Sequence, residues 1–199
     1  MGLNDVGLND VGLEDVGLED VGMNVGDVEA ALRDDGYRWS CPLEVAADDF
    51  DAQGHLNNAA IVRHLNDLRI GYVRANLGEV WIEFLRTSGS VVAAREVHVS
   101  YESEGFPDES FVGATRVARR DGLAGIIEQQ VREVASARLV ARAWVVQLLA
   151  RDGRAVDWPE FYWPLVEATE GRPIPYRARV PRSPWGPPAW SAPEEGSSG

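Results

Sequence analysis

The chain of 199 residues contains no lysine: all 19 of its basic side chains are arginine. That composition is the mark of GC-rich coding, and it excludes Schiff-base chemistry and any phosphate loop built on a lysine. Cysteine is almost as scarce. Cys41 stands alone, so no disulfide forms within the chain, which fits a reducing cytoplasm. The three histidines lack neighbouring cysteines or paired carboxylates at ligand spacing, so neither a metal site nor a cofactor is implied. No apolar run reaches the roughly 18 residues of a membrane-spanning helix. The acidic N-terminus lacks the basic start of a secretory signal. There is no Gly-x-Ser-x-Gly elbow, which removes the usual serine-hydrolase arrangement.

Negative charge, by contrast, is plentiful but unevenly placed. The formal charge is -13, and residues 1–36 hold ten acidic side chains against Arg33 alone. An acidic balance repels a phosphate backbone, so nucleic acid is not an expected partner. The body is only mildly acidic and leaves room for a local arginine cluster that meets an anionic carrier. Arg95, Arg116, Arg119 and Arg120 are available for that role, although charged residues on strands ordinarily just face solvent.

Both ends read as extensions. The first 22 residues repeat with period five, as Gly-Leu-Asn/Glu-Asp-Val. Five residues turn a helix by about 140° beyond a full turn, so the leucines form no stripe. Glycine at every repeat weakens a helix further. Residues 1–36 are therefore expected to be a flexible acidic extension. Residues 170–199 form a Pro-rich tail, in which 171–199 hold seven of the eleven prolines. Trp185 and Trp190 are unusual for such a tail and are candidates for docking it onto the body or a partner subunit.

The body, residues 37–169, combines one long helix with alternating strands. Trp39 to Val45 reads as a first strand. A loop through Asp48, Asp49, Phe50 and Asp51 then leads to a helix over Asn58 to Asn76. There Ile61, Leu65, Leu68 and Tyr72 make one buried stripe, and Leu77-Gly78 supplies a C-terminal cap. From Val91 the pattern changes to alternation, with Val91, Ala93, Val97, Val99 and Tyr101 on one side. Further strands cover 111–119, 123–134 and 138–150. Their short connections, including Asp121-Gly122, mean antiparallel hairpins. Pro159 opens a short terminal helix. This is an α+β order with an antiparallel sheet.

The chemistry concentrates in Asp51-Ala-Gln-Gly54-His55-Leu-Asn57-Asn58. A carboxylate facing the free N–H groups of a helix start can activate water, or attack a carbonyl, opposite donors for the resulting oxyanion. Each residue also has a plainer role. Asp51 suits a turn, Gly54 forms one, His55 can buttress the loop, and Asn57 and Asn58 are natural N-caps.

The spacing Asp51-x-x-Gly54-His55-x-Asn57-Asn58, followed by a helical run, resembles the acyl-CoA and acyl-ACP thioesterases of the hotdog fold, the 4-hydroxybenzoyl-CoA thioesterase-like group. The resemblance covers about residues 37–168. It implies a curved antiparallel sheet wrapped around one central helix. It also implies Asp51 as the catalytic carboxylate, acting as general base or as nucleophile, with both open. By the same resemblance Gly54 lets the thioester approach the backbone and His55 orients it or the water. The amides of Asn57 and Asn58 form the oxyanion hole. Asp67 matches an acid placed sixteen residues after Asp51, while Asn66 and Ile61 depart from the acid and the tyrosine common at their positions. Arg63 and Asp67 are also i,i+4 neighbours, so a surface ion pair is the plainer expectation for Asp67. The family pairs as dimers or tetramers with no metal or redox cofactor, so a homo-oligomer acting on acyl-CoA or acyl-ACP is implied. A hotdog hydratase or dehydratase, or a non-catalytic acyl-binding domain, are the alternatives.

Overall fold

The computed structural model describes residues 22–178. Most of the five-residue repeat, along with Trp185 and Trp190, lies outside them. In chain order the elements are α1 (Val25–Asp34), β1 (Trp39–Pro42), α2 (Asn58–Ser88), β2 (Val91–Tyr101), β3 (Phe111–Asp121), β4 (Ala124–Glu133), β5 (Leu139–Arg151), β6 (Arg154–Val156), α3 (Tyr162–Glu170) and β7 (Tyr176–Arg177). The main sheet runs β1-β3-β4-β5-β2, with β6 pairing to β5 and β7 to β3. Every pairing is antiparallel except the short β3·β7 contact. A long helix seated in an antiparallel sheet is the hotdog arrangement that the family resemblance implied.

The stripe on α2 is what seats it. Ile61, Leu65, Leu68 and Tyr72 are all buried, and they meet the inward residues of the sheet, including Phe111, Val131, Ala141 and Val117. The approach is close. A Cβ on Gly113 would sit 2.3 Å from Leu68 Cδ1, so β3 carries glycine where the helix crosses it.

Several boundaries differ from the sequence reading. Gly78 does not end α2. With φ 63° and ψ −169°, it occupies a conformation that only glycine adopts readily, and the chain resumes helix to Ser88. The resumed turns place Trp81 in the core, against Phe84, Trp158, Phe161 and Tyr162.

Strand β2 carries a bulge between Ala94 and Glu96. Val97, Val99 and Tyr101 therefore face the helix side opposite Val145, Ala143 and Ala141, whereas upstream it is Val92, paired with Leu149, that turns inward. Val91 and Ala93 thus lie on the other face from Val97.

Residues 25–34, counted with the acidic extension on composition, form α1 instead. Asn24 and Asp27 cap its start reciprocally. Val28 and Leu32 are fully buried against Tyr37, Val112, Ala114 and Val134, on the face of the sheet opposite α2. At the other end, structure continues past residue 170 through a buried Ile174 to β7. Among the described residues no helix is long and apolar enough to cross a membrane.

Candidate active site

The motif loop is held by its own backbone. Asp51 N–H donates to the His55 carbonyl at 2.9 Å and Gly54 N–H to the Asp51 carbonyl at 3.0 Å. Gly54 has φ 80°, a turn conformation suited to glycine. Two bonds anchor the far end of the loop: Leu56 N–H to the Gly105 carbonyl and Asn57 N–H to the Asp49 carbonyl, each 2.8 Å.

Within this frame Asp51 Oδ1 accepts from the Gln53 amide at 2.8 Å and from the His55 amide at 3.1 Å. These donors, His55 foremost, hold the carboxyl below the usual carboxylate range although it is exposed to solvent. The group is thus an ionised acceptor, suited to base or nucleophile chemistry and not to donating a proton.

The start of α2 lies beside it. The Asn57 side chain is the N-cap, accepting from Ala59 N–H at 2.8 Å. Since the Asn57 amide is committed to Asp49, it is not available to an oxyanion. The Asn58 amide, first in the helix, has no partner among the described residues, as the opening N–H groups of a helix lack an intrahelical acceptor. Asp51, His55, Asn57, Asn58 and Ile61 line one wall of a cleft of about 450 Å³. Tyr101, Glu102, Ser103 and Glu104, from the end of β2 and the segment after it, line the other wall.

Asp67 does not join this cleft. It lies about 13 Å further along the helix axis from Asn58, in a separate cleft of about 350 Å³ with Cys41, Asp49, Arg63 and His64. Nor does Arg63 pair with Asp67; it pairs with Asp49. Residues nine apart on a helix are two and a half turns away from one another, so within the chain Asp67 is set apart from Asn58. Asn66 accepts from Arg69 at 2.6 Å.

Two residues were passed over in the sequence. Asp49 looked like one more solvated loop acid, yet it is 1% exposed. It binds His64 Nε2 at 2.9 Å, the Ala46 amide at 3.1 Å and Arg63. Glu104 carries no spacing signal at all, and it places Oε1 3.6 Å from His55 Nδ1. The four candidate phosphate arginines are engaged within the chain: Arg95 with Glu96, Arg116 with Glu128, Arg119 with Asp121, and Arg120 with the Gly122 carbonyl.

Comparisons with known proteins follow the same outline. Residues 45–165 match the model of the thioesterase-like superfamily. No curated protein sequence matches the chain. Among solved structures, it is similar to a thioesterase from Thermus thermophilus complexed with coenzyme A and zinc. That likeness has 24% identity and a TM-score of 0.59, covering 70% of this chain and 98% of that one. A thioesterase-superfamily protein from Jannaschia sp. CCS1 aligns at 18% identity and a TM-score of 0.61, covering 77% of this chain and 96% of that one. The 4-hydroxybenzoyl-CoA thioesterase of Pseudomonas sp. strain CBS-3 aligns at 18% identity and a TM-score of 0.59, covering 64% and 97% respectively. At these identities the likeness is one of fold.

Proposed function

Since the chain belongs to the thioesterase-like superfamily, we propose that it hydrolyses an acyl thioester, of coenzyme A or of acyl carrier protein, with Asp51 as the reacting carboxylate. One observation carries this reading: an ionised carboxylate and the unpartnered Asn58 amide at the start of α2 share a cleft. A thioester carbonyl lying on that amide meets a donor aimed at the charge it develops, an arrangement worth on the order of 3 kcal/mol per donor in the transition state. Oδ1 of Asp51 is committed to two backbone amides, so Oδ2 is the oxygen that takes a proton from water or attacks the carbonyl. The coenzyme A bound by the Thermus thermophilus thioesterase supports the thioester class. The activity belongs to the body of the chain, between its two terminal segments.

The working unit is a homo-oligomer. Strand β2 ends the main sheet on one side, and its helix-side residues Val97 and Tyr101 are 48% and 44% exposed. A second copy that covers this edge closes the open side of the cleft at Tyr101.

The test is thiol release from a panel of acyl-CoA and acyl-carrier-protein thioesters, with Asp51→Asn beside the wild type. The expected result is turnover of at least one substrate and a loss of at least about a hundredfold in the variant, with unchanged melting. A change in enoyl absorbance without thiol release would move the protein to the hydratases. A ligand-induced rise in melting temperature with no turnover would make it an acyl-binding domain.

A further inference from the structure

We propose that Glu104 is a positioning residue that sets the His55 imidazole to protonate the departing thiolate; the inference rests on thioester hydrolysis at the same cleft. The two side chains meet at 3.6 Å, Nδ1 to Oε1. The Phe106 ring packs edge-on against the imidazole, with centroids 5.5 Å apart and planes at 83°. His55 is thus held on two sides by one segment, residues 102–110, that joins β2 to β3.

That segment is fixed in place. Its Gly105 carbonyl receives Leu56 N–H at 2.8 Å, which ties it directly to the motif loop. Arg138 binds the Glu104 carbonyl, Ser103 Oγ at 2.8 Å and Glu109 Oε1 at 2.5 Å. A Cβ on Gly105 would lie 2.9 Å from the Phe111 ring and 3.2 Å from Leu56 Cβ, so the backbone is packed down with no slack. Exposure decides what the pair is for. The side chains of His55 and Glu104 are 32% and 62% exposed, and an ion pair so open to water adds little stability. What two rigid backbones give it is orientation.

The chemistry needs such a group. When the C–S bond of an alkyl thioester breaks, its electron pair stays on sulfur, and the strongly basic thiolate leaves readily only with a proton. Asp51 is held ionised by its two amides, so it enters the reaction without a proton to give, whether it activates water or attacks the carbonyl. The other titratable groups of the cleft are His55, Tyr101, Glu102 and Glu104. Glu102 is paired with Arg142 at 2.9 Å. With Nδ1–H directed to the Glu104 carboxylate, Nε2 is the nitrogen left for the substrate. The imidazolium Nε2–H passes its proton to sulfur, the imidazole regains one from solvent, and the proton that water loses returns to solvent. The sum is thioester plus water giving acid plus thiol.

Leaving-group dependence tests this. The probes are the acyl-CoA turned over fastest and the S-phenyl thioester of the same acid, whose aryl thiolate leaves without a proton. Glu104→Gln and His55→Gln are expected to lower kcat on the acyl-CoA by about tenfold or more and on the S-phenyl ester by less than about twofold. Glu104→Asp should recover most of the rate, and Asp51→Asn should be slow on both esters. Equal slowing of both esters by Glu104→Gln makes the residue a structural prop and overturns the proposal, as does no slowing of either. A wild type that releases thiol from nothing in the panel overturns the hydrolase reading and this one with it. An active wild type with an indifferent Glu104→Gln overturns this one alone.

Discussion

Asp48, Asp49 and Asp51 stand within four positions of one another, and replacing each should give a different phenotype. Asp49 is 1% exposed and its carboxylate is the partner of His64 Nε2 at 2.9 Å, of the Ala46 amide at 3.1 Å and of Arg63. Arg63 is 57% exposed along its side chain, so its share is small. In Asp49→Ala the buried imidazole and the amide each lose their acceptor, at about 1–3 kcal/mol apiece. The total is about 2–6 kcal/mol. For a chain of this size each kcal/mol shifts Tm by about 2–4 °C, so Asp49→Ala should melt roughly 10 °C lower. Below that temperature its thiol release should stay near wild type, because the Asp49 carbonyl that holds the Asn57 amide survives the substitution. Asp51→Asn should do the opposite. The residue is exposed, the amide oxygen still accepts from Gln53 and His55, and the melt stays put while turnover falls. Asp48 is exposed, and its alanine variant should alter neither quantity. The assays are a circular-dichroism melt and thiol release on all three. A melt for Asp49→Ala within about 2 °C of wild type would show that the buried network does not hold the loop, and the structural argument for the motif's placement would fall with it.

Two further perturbations probe the frame around the site. Gly78 has open space where a Cβ would sit, so Gly78→Ala isolates the backbone strain of its positive φ and should destabilise by about 1–3 kcal/mol in urea titration; an unchanged midpoint would mean that α2 runs straight through. Glu170 is buried, accepts from Tyr72 OH at 2.6 Å and from Val117 N–H at 2.7 Å through Oε1, and leaves Oε2 buried without a partner among the described residues. Burial pushes its carboxyl up, so the folded protein favours the protonated acid. The associated stability is full below the ordinary glutamate range of about 4.3 and is lost as pH rises through the folded-state value. Glu170→Gln should flatten the fall in Tm that follows as pH rises above about 4.3, and an identical slope in the variant would refute the assignment.

Local pattern carried the frame of this molecule, and long-range contact carried what the pattern could not show. The stripe at Ile61, Leu65, Leu68 and Tyr72 located α2, because a helix buried on one side writes its period into the chain. Four long strands were legible for the same reason. The bulge in β2 was not: it exchanges the faces of Val91 and Val92 without altering the alternation on either side of it. Gly78 reads as a stop because glycine with positive φ usually ends a helix, yet Leu77 and Trp81 are both buried and reward continuing the turn past the kink. Helix α1 did carry a signal, the reciprocal cap of Asn24 and Asp27 with Val28 and Leu32 one turn apart. It was submerged in the glycine repeat before it.

The site divides along the same line. Asp51, Gly54, His55, Asn57 and Asn58 form one continuous segment, so the family resemblance could group them within a single stretch of sequence. Asp67 was grouped with them by number, and helical geometry separates it. Asp49 and Asp51 are chemically identical in the sequence, and only the packing of His64 above the loop makes one a buried anchor and the other an exposed acceptor. Glu104 reaches His55 from a different element, through a backbone bond between Leu56 and Gly105 that leaves no trace in either stretch of sequence. The carboxylate proposed to react is therefore visible in the chain and the group proposed to orient the acid opposite it is concealed, because the first depends on neighbours in sequence and the second on neighbours in space.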